Sequence, residues 1–403
     1  MSRGLFRSAA ILGLLSAVGP FAIDMYLPAL PNVADDLGSP IAAAQMTLTA
    51  YFIAFGLAQL IYGPLADQVG RKPPLYIGLA VFILGSIGCT FAPSIGVLVA
   101  FRFVQGLGAA VLMVVPRAII RDMHTGTEAT RLMAMIMLVI SISPMLAPLA
   151  GSGVIYLGSW RAIFAVLGGA AILSLLMTGF LLPETLAVEK RVKVNVRNLA
   201  RGTAHLLRDR GFMGLTFIGA FGIASFFVFL ASASFVYTGQ FGLSPTGFSI
   251  AFAINAIGFF TASQLAAPFA ERFGMVRTIS AAVAGFMVIS LLLVALTMAG
   301  YGTLPVIVAF LFLANACLGL VIPTTMVLAL EDHGEIAGLA SSLGGTLQMV
   351  AGGLAVIVAG PFFNGTATPM VIAIAVCAVI AFLLTRYVLV RPALASNVQD
   401  VGL

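Results

Sequence analysis

The sequence predicts an all-α integral membrane protein: twelve transmembrane helices in two pseudo-symmetric six-helix bundles, with both termini cytoplasmic. Three observations predict it. First, 61% of the 403 residues are hydrophobic and 8% are charged, whereas ordinary soluble domains carry roughly 25% charged residues. Second, the apolar residues fall into twelve long runs, each able to cross a hydrocarbon core of about 30 Å at about 1.5 Å per helical residue. Third, the basic residues gather in alternate connections, the asymmetry that sets orientation in a membrane. The alternating ten-residue segments of a β-barrel are absent.

Arg3 and Arg7 precede the first run, 9–31. Such a start resembles a secretory leader, but the run continues to Pro31 without a small-residue cleavage site, so it is expected to remain as span one. Span two, 43–66, runs into a turn with Arg71 and Lys72, and span three, 73–92, leads away from it. Span four, 94–117, ends at Arg117 and Arg121, and span five, 131–156, begins at Arg131. Span six, 159–182, meets the longest polar stretch, PETLAVEKRVKVNVRNLARGTAHLLRDRG at 183–211. Spans seven to twelve follow at 212–236, 248–269, 277–299, 303–330, 336–362 and 368–390.

Placing the N-terminus inside puts the arginines and lysines above on the cytoplasmic side. They are joined there by Lys190, Arg191, Lys193, Arg197, Arg201, Arg208, Arg210, Arg272, Arg277, Arg386 and Arg391. Only Arg161 is left at the outer face and only Arg102 inside a span. The net charge of +6 therefore reports topology, and no nucleic-acid partner is expected. The basic connection 183–211 is either a solvated linker or a segment lying along the anionic inner leaflet. Either way it separates an N-terminal bundle, 1–182, from a C-terminal bundle, 212–403.

The two halves are related. GPLADQVG at 63–70 follows span two, and APFAERFG at 267–274 follows its counterpart, span eight. Pro64/Pro268, Ala66/Ala270, Asp67/Glu271 and Gly70/Gly274 recur in register. Duplicated six-helix units are an architecture of secondary transporters. Other function classes find little support. Cys89, Cys317 and Cys377 lie apart in apolar runs, and His124, His205 and His333 are scattered among cytoplasmic connections without ligand spacing, so neither a metal nor an enzyme site is expected. There is no GxxxxGK[ST] loop. No cofactor is expected; the energy source is an ion gradient or the substrate's own gradient.

Two embedded charges stand out. Asp24 lies seven residues before Pro31, where span one exits, and Arg102 seven residues after Ile95, near which span four enters, so each is about 10 Å below the same surface. A charge in a bilayer core costs at least about 2.5 kcal/mol. Asp24 is either a structural carboxylate, paired with Arg102 or capping a helix broken at Pro28, or a proton carrier. Burial favours a neutral acid and a nearby guanidinium a charged one, and a carboxyl balanced between them can exchange a proton. Arg102 is a partner of Asp24 or a hub for backbone carbonyls. Gln105 is as suited to structural hydrogen bonding as to holding substrate.

The C-terminal half offers Asn255, Asn315 and Gln348 and an aromatic cluster, Phe221, Phe226, Phe227 and Phe229. The expected substrate-binding set is Tyr26, Tyr51, Phe55, Phe226, Phe229, Asn255 and Gln348. Large, apolar and sparsely polar, it suits amphipathic molecules better than sugars.

Several motifs together resemble a known family. GPLADQVGRKPPL at 63–75 is similar to the loop between spans two and three of the major facilitator superfamily. RFVQGLGAA at 102–110 and PMLAPLAGSG at 144–153 resemble the span-four and span-five motifs of its proton-coupled drug antiporters. DMYLPALP at 24–31, RAIIRDM at 117–123, WRAIF at 160–164 and PETL at 183–186 look like the Bcr/CflA-type drug-resistance exporters.

The resemblance implies an antiporter that exchanges protons for amphipathic drugs or drug-like metabolites by alternating access, in a bacterial cytoplasmic (inner) membrane. Its partners would be protons, a small-molecule substrate and the lipid bilayer, and a monomer suffices. Uptake of a small metabolite in the same fold is the alternative. Asp24 and Arg102 would couple protons, and Gly63, Asp67, Gly70, Arg71 and Arg121 would form a cytoplasmic latch. In that latch Asp67 accepts from backbone amides of a neighbouring helix start or pairs with Arg71 or Arg121. Gln68 departs from the family's usual basic residue. Pro144, Pro148 and Gly151 would shape a bent antiporter-motif helix, with Ala147 and Ser152 where the motif usually has glycine.

Overall fold

The computed structural model describes the backbone of residues 3–124, 126–191 and 195–390, which is helical apart from short connections. Of the basic residues used to orient the chain, Lys193 and Arg391 lie outside the described residues. The α-helices are α1 Arg3–Asp24, α2 Leu30–Asp36, α3 Ile41–Val69, α4 Lys72–Thr90, α5 Ile95–Ala109, α6 Val111–Met123, α7 Gly126–Leu157 and α8 Arg161–Leu181. They continue with α9 Val196–Arg208, α10 Arg210–Phe235, α11 Pro245–Phe273, α12 Met275–Leu296, α13 Leu304–Glu331, α14 Ala337–Ala359 and α15 Ala367–Thr385. All but α9 contribute to the twelve segments long and apolar enough to cross a membrane, in the order the apolar runs predict.

Span one is not a single helix. Pro28 has no N–H to close on the Asp24 carbonyl, so the α-helical ladder fails there. The turn tightens instead: the Tyr26 N–H bonds the Ile23 carbonyl at 3.3 Å, and the Ala29 N–H bonds Tyr26 at 3.0 Å. A short tight helix, Leu27–Ala29, leads into α2, which carries the span to Asp36. The shift from Ala22 to Ile23 as the acceptor for Tyr26 leaves the Ala22 carbonyl oxygen for another donor. Span four is likewise divided at Ala110, where the Met113 N–H reaches back to the Ala110 carbonyl at 3.2 Å.

The chain forms two compact units. Residues up to Val196 together with Leu243–Ala253 make one, and Arg197–Gly242 with residues from Ile254 onward make the other. In the first, α5 is held between α3 and α4, while α1 packs on α7 and α8. Small residues set this spacing. A Cβ on Gly106 would stand 2.5 Å from the Tyr51 carbonyl oxygen, and one on Gly108 would stand 2.4 Å from that of Gly78, so the backbones themselves are in contact. At the outer end, Asp36 accepts hydrogen bonds from Trp160 Nε1 at 3.0 Å and Arg161 at 2.6 Å. Arg161 lies over the Trp160 ring and also bonds the Ala92 carbonyl. One outer arginine thus ties α2 to α8 and the end of α4.

In the second unit α10 packs on α13, α14 and α15, and α12 on α13 and α15. The duplicated loop reappears as geometry: Gly70 closes α3 with φ +103° and Gly274 closes α11 with φ +84°. Both are in the left-handed region that favours glycine.

Gly106→Val should overpack the α3–α5 contact, at a cost of about 1–3 kcal/mol. The expected result is a lower midpoint in thermal denaturation followed by size-exclusion chromatography. Gly153→Ala, with no atom within 4 Å of the new methyl, should leave that midpoint unchanged.

Candidate functional site

The first unit buries one cation completely. Arg102, on α5, is 0% exposed. Its Nη1 donates to the Ala22 carbonyl at 3.0 Å, the oxygen released by the break in span one, and to Gln105 Oε1 at 2.6 Å. Its Nε reaches the Thr47 carbonyl on α3 at 3.4 Å. The guanidinium carbon lies 4.4 Å from the centroid of the Tyr51 ring, 4.9 Å from that of Tyr26 and 5.7 Å from that of Phe164. Gln105 in turn donates to Ser86 Oγ at 2.9 Å on α4, and Ser86 donates to the Phe82 carbonyl. Carbonyl dipoles and aromatic faces thus offset the charge, while Nη2 has no hydrogen-bond partner among the described residues. The reading of Arg102 as a carbonyl hub describes this geometry.

Asp24 ends α1 and is 6% exposed. It is not among the partners of Arg102, and no ion pair joins them among the described residues. Common depth brought both charges into one unit but did not make them a salt bridge. The carboxyl instead faces the Ser143 hydroxyl on α7. The two tyrosines expected to line a pocket serve this centre. Tyr51 donates to the Gly19 carbonyl at 3.1 Å and stacks on Phe55, while the Tyr26 and Thr47 hydroxyls are 3.0 Å apart. Tyr26, Tyr51 and Phe55 are all buried.

At the cytoplasmic end of the same unit is a second charged cluster. Arg71 pairs with Asp67 one turn earlier and takes both oxygens of Asp122, at 2.7 and 3.3 Å. Glu184 accepts the backbone N–H groups of Arg71 at 2.9 Å and Lys72 at 3.1 Å, which open α4. Thr185 adds a bond to Asp122. Gly70 is required by both its φ and its neighbour, since a Cβ there would stand 2.7 Å from Glu184 Oε2.

Of the alternatives for Asp67, the structure shows the pair with Arg71, while Glu184 caps the neighbouring helix start. Asp122, which the sequence reading did not single out, joins the cluster, and Arg121 is exposed and makes no ion pair among the described residues. Gly63 meets nothing nearer than Val114 at 3.9 Å, so no close approach demands it. Burial alone would pull the Arg71 guanidinium down, but Asp122 and Asp67 outweigh it and hold it above its ordinary value. Burial alone would push the Glu184 carboxyl up, but the donors from Arg71, Leu186, Lys72 and Thr185 hold it below the usual range.

Pro144 and Pro148 lie within α7, which is assigned as helix throughout Gly126–Leu157. A Cβ on Gly151 would stand 2.1 Å from the Met25 carbonyl oxygen, so glycine is needed where α7 crosses the break in span one. Ser152, where the antiporter motif usually has glycine, lies 2.9 Å from both Ser249 Oγ and the Pro245 carbonyl oxygen within the same unit.

The second unit brings several expected substrate residues into one row. Phe226 stacks on Phe259 with centroids 6.1 Å apart and adjoins Phe229, whose edge meets Tyr237. The Tyr237 hydroxyl faces Asn255. Phe229 and Asn255 are buried, and Phe226 is half-buried. Gln348, also half-buried, comes with Thr325 against Gly219, seven residues earlier on α10. The histidines are less scattered than their sequence positions imply. His205 and His333 meet edge to face at 6.0 Å, and His333 lies 3.7 Å from Asp209. No trio of metal-binding side chains forms among the described residues.

Comparison with known proteins follows this geometry. The family profile described as Major Facilitator Superfamily matches residues 12–356. An uncharacterized MFS-type transporter, YdgK, of Bacillus subtilis is 35% identical over 93% of each chain. A bicyclomycin resistance protein homolog of Haemophilus influenzae is 31% identical, covering 92% of this chain and 93% of its own. Among solved structures, the nucleoside transporter NupG superposes with a TM-score of 0.75 at 14% identity, over 96% of this chain and 99% of its own, a likeness of fold.

The lowered Glu184 carboxyl gives a signed prediction. Its contribution to stability is complete above the ordinary carboxylate value and is lost as pH falls through the lowered one. Glu184→Gln should therefore melt below wild type at pH 7, and the gap should close below about pH 4. A gap independent of pH in scanning fluorimetry would show that the contact does not depend on charge.

Proposed function

The chain belongs to the major facilitator superfamily, and from that premise we propose a proton-coupled exporter of amphipathic drugs or drug-like metabolites in a bacterial cytoplasmic membrane. One observation carries this reading: Asp24 is a buried carboxyl with no cation bound to it among the described residues. A carboxylate locked in an ion pair keeps its charge through a transport cycle. One without a fixed counter-charge takes up a proton when its surroundings are dry and yields it when water or a cationic group enters. Asp24 is the carrier in this scheme. Arg102, held by Ala22, Thr47 and Gln105, supplies a permanent positive field that aids release without trapping the carboxylate.

The name of the Haemophilus relative, a bicyclomycin resistance protein homolog, supports export over uptake and a substrate of drug-like size. Phe226 and Gln348, half-buried, make the first substrate contacts. In the second unit Phe229 and Asn255 form the layer behind them; Tyr26, Tyr51 and Phe55 are the substrate set of the first unit. The cluster of Asp67, Arg71, Asp122 and Glu184 is the latch that forms and breaks as the cytoplasmic end closes and opens. α7, with Pro144, Pro148 and Gly151, is the seal against the break in span one. The cycle proceeds by alternating access, needs no cofactor and is complete in a monomer.

The test is drug resistance in an efflux-deficient bacterial strain, with wild type and Asp24→Asn expressed at matched levels. A panel of cationic dyes, phenicols and bicyclic peptide-like antibiotics covers the substrate class. Several-fold resistance from wild type, abolished in Asp24→Asn, is the expected outcome. Equal resistance from both would remove Asp24 from the mechanism. No resistance from well-expressed wild type would overturn drug export and put metabolite uptake in its place.

A further inference from the structure

Hydroxyls inside these spans commonly bond back to their own helix: Ser86, Thr90, Thr178, Thr324 and Thr385 each donate to the carbonyl four residues earlier. Ser143 is an exception. It is 1% exposed, its Oγ has no hydrogen-bond partner among the described residues, and it faces the Asp24 carboxyl across the α1–α7 contact. The residue after it is Pro144, which has no N–H to give to the Ile140 carbonyl. Ile140 lies three residues before Ser143, within reach of a serine hydroxyl that bends back on its helix. The Ser143 hydroxyl therefore has two acceptors, a carboxyl on α1 and a carbonyl on α7, and one proton to give.

We infer that Ser143 is a positioning residue for Asp24: its hydroxyl donates to the carboxylate while Asp24 is charged and turns to the Ile140 carbonyl once Asp24 is protonated. The proton on Asp24 is taken from water and returned to water, and Ser143 keeps its own throughout. The other titratable neighbours are committed elsewhere. Tyr51, on α3, donates to Gly19, and Arg102, on α5, is held by Ala22, Thr47 and Gln105. α7 has no charged residue within two turns of Ser143, and α8 has only Arg161, at its outer start. The spacing that permits the contact is fixed two turns further on, where the Met25 carbonyl fills the space of a Gly151 side chain. The contact makes the protonation state of span one known to the helix of the antiporter motif. That last step rests on the proposed role of Asp24, whereas the contact does not.

Ser143→Thr and Ser143→Val are nearly equal in shape and differ in the hydroxyl. The full-length protein in lipid nanodiscs would be titrated while the infrared carboxyl stretch is recorded, with Asp24→Asn to assign the band. Loss of a hydrogen bond to a charged group should move the Asp24 midpoint in the Val variant upward by about one pH unit, tenfold in proton affinity. The Thr variant should titrate like wild type. Ser143→Ala repeats the measurement should the Val variant not fold. Equal midpoints in Thr, Val and Ala overturn the proposal, as does a wild-type Asp24 band that does not respond to pH. A shifted midpoint together with full resistance from Asp24→Asn would keep the contact and remove the proton-carrier role.

Discussion

The first unit depends on how one buried guanidinium is held through its Nε and Nη1. Arg102 is wholly enclosed, and an unpartnered charge there would cost several kcal/mol. Its partners come from three separate places: a carbonyl at the end of α1, a carbonyl in α3 and an amide on its own α5. The first exists because Pro28 breaks span one and moves the Tyr26 N–H away from Ala22. The amide is in turn fixed to α4 through Ser86. Solvating Arg102 therefore sets the register of four helices at once, and the glycines at 106 and 108 let α5 lie close enough for its side chain to reach them.

That solution leaves Asp24 available. Arg71 and Arg102, both in this unit, are treated in opposite ways. Arg71, at the cytoplasmic end, is saturated by two carboxylates, Asp67 and Asp122. Arg102, deep in the span, is given dipoles and aromatic faces. Carbonyl oxygens carry no proton that the solvent can exchange, so they hold a cation through any change of pH. A carboxylate in the same place would neutralise Arg102 and be held charged by it. Keeping Asp24 apart leaves a buried carboxyl without a fixed counter-charge among the described residues.

The twelve spans and their orientation were legible in the sequence because run length and the side of each basic residue are one-dimensional signals. The repeat was legible for the same reason, and the left-handed φ angles of Gly70 and Gly274 give it a physical content. What sequence could not supply was rotation about each helix axis. Asp24 and Arg102 share a depth, but depth is one coordinate, and the break at Pro28 changes the others. Arg121 and Asp122 are neighbours in the sequence and point about 100° apart on a helix, and the one that meets Arg71 is the acid. In a soluble helix an apolar stripe would reveal the inward face. In a span surrounded by lipid every face is apolar, so the sequence did not show that Tyr26 and Tyr51 flank Arg102. Ser143 gave no signal, since serine is common in spans and its significance comes from Asp24.

The same reasoning bears on α7. Along one helix, Ser143 faces Asp24, Gly151 receives the Met25 carbonyl, and Ser152 meets Ser249 and the Pro245 carbonyl at the start of α11. Between the first contact and the other two are Pro144 and Pro148, which remove two backbone hydrogen bonds, each worth about 0.5–1.5 kcal/mol. A regular helix passes a displacement along its length as a rigid rod. A helix missing two ladder bonds in one turn bends there first. A change at Ser143 is therefore absorbed as bending between it and Gly151, whose backbone contact with span one leaves no space to shift. The serine at 152, where the antiporter motif usually has glycine, adds a polar hold to that fixed end. On the proposed role of Asp24, α7 joins the segment that bends first, beside that carboxyl, to a segment held by Met25, Pro245 and Ser249, which is the arrangement needed if protonation of one carboxyl is to change the shape of a helix.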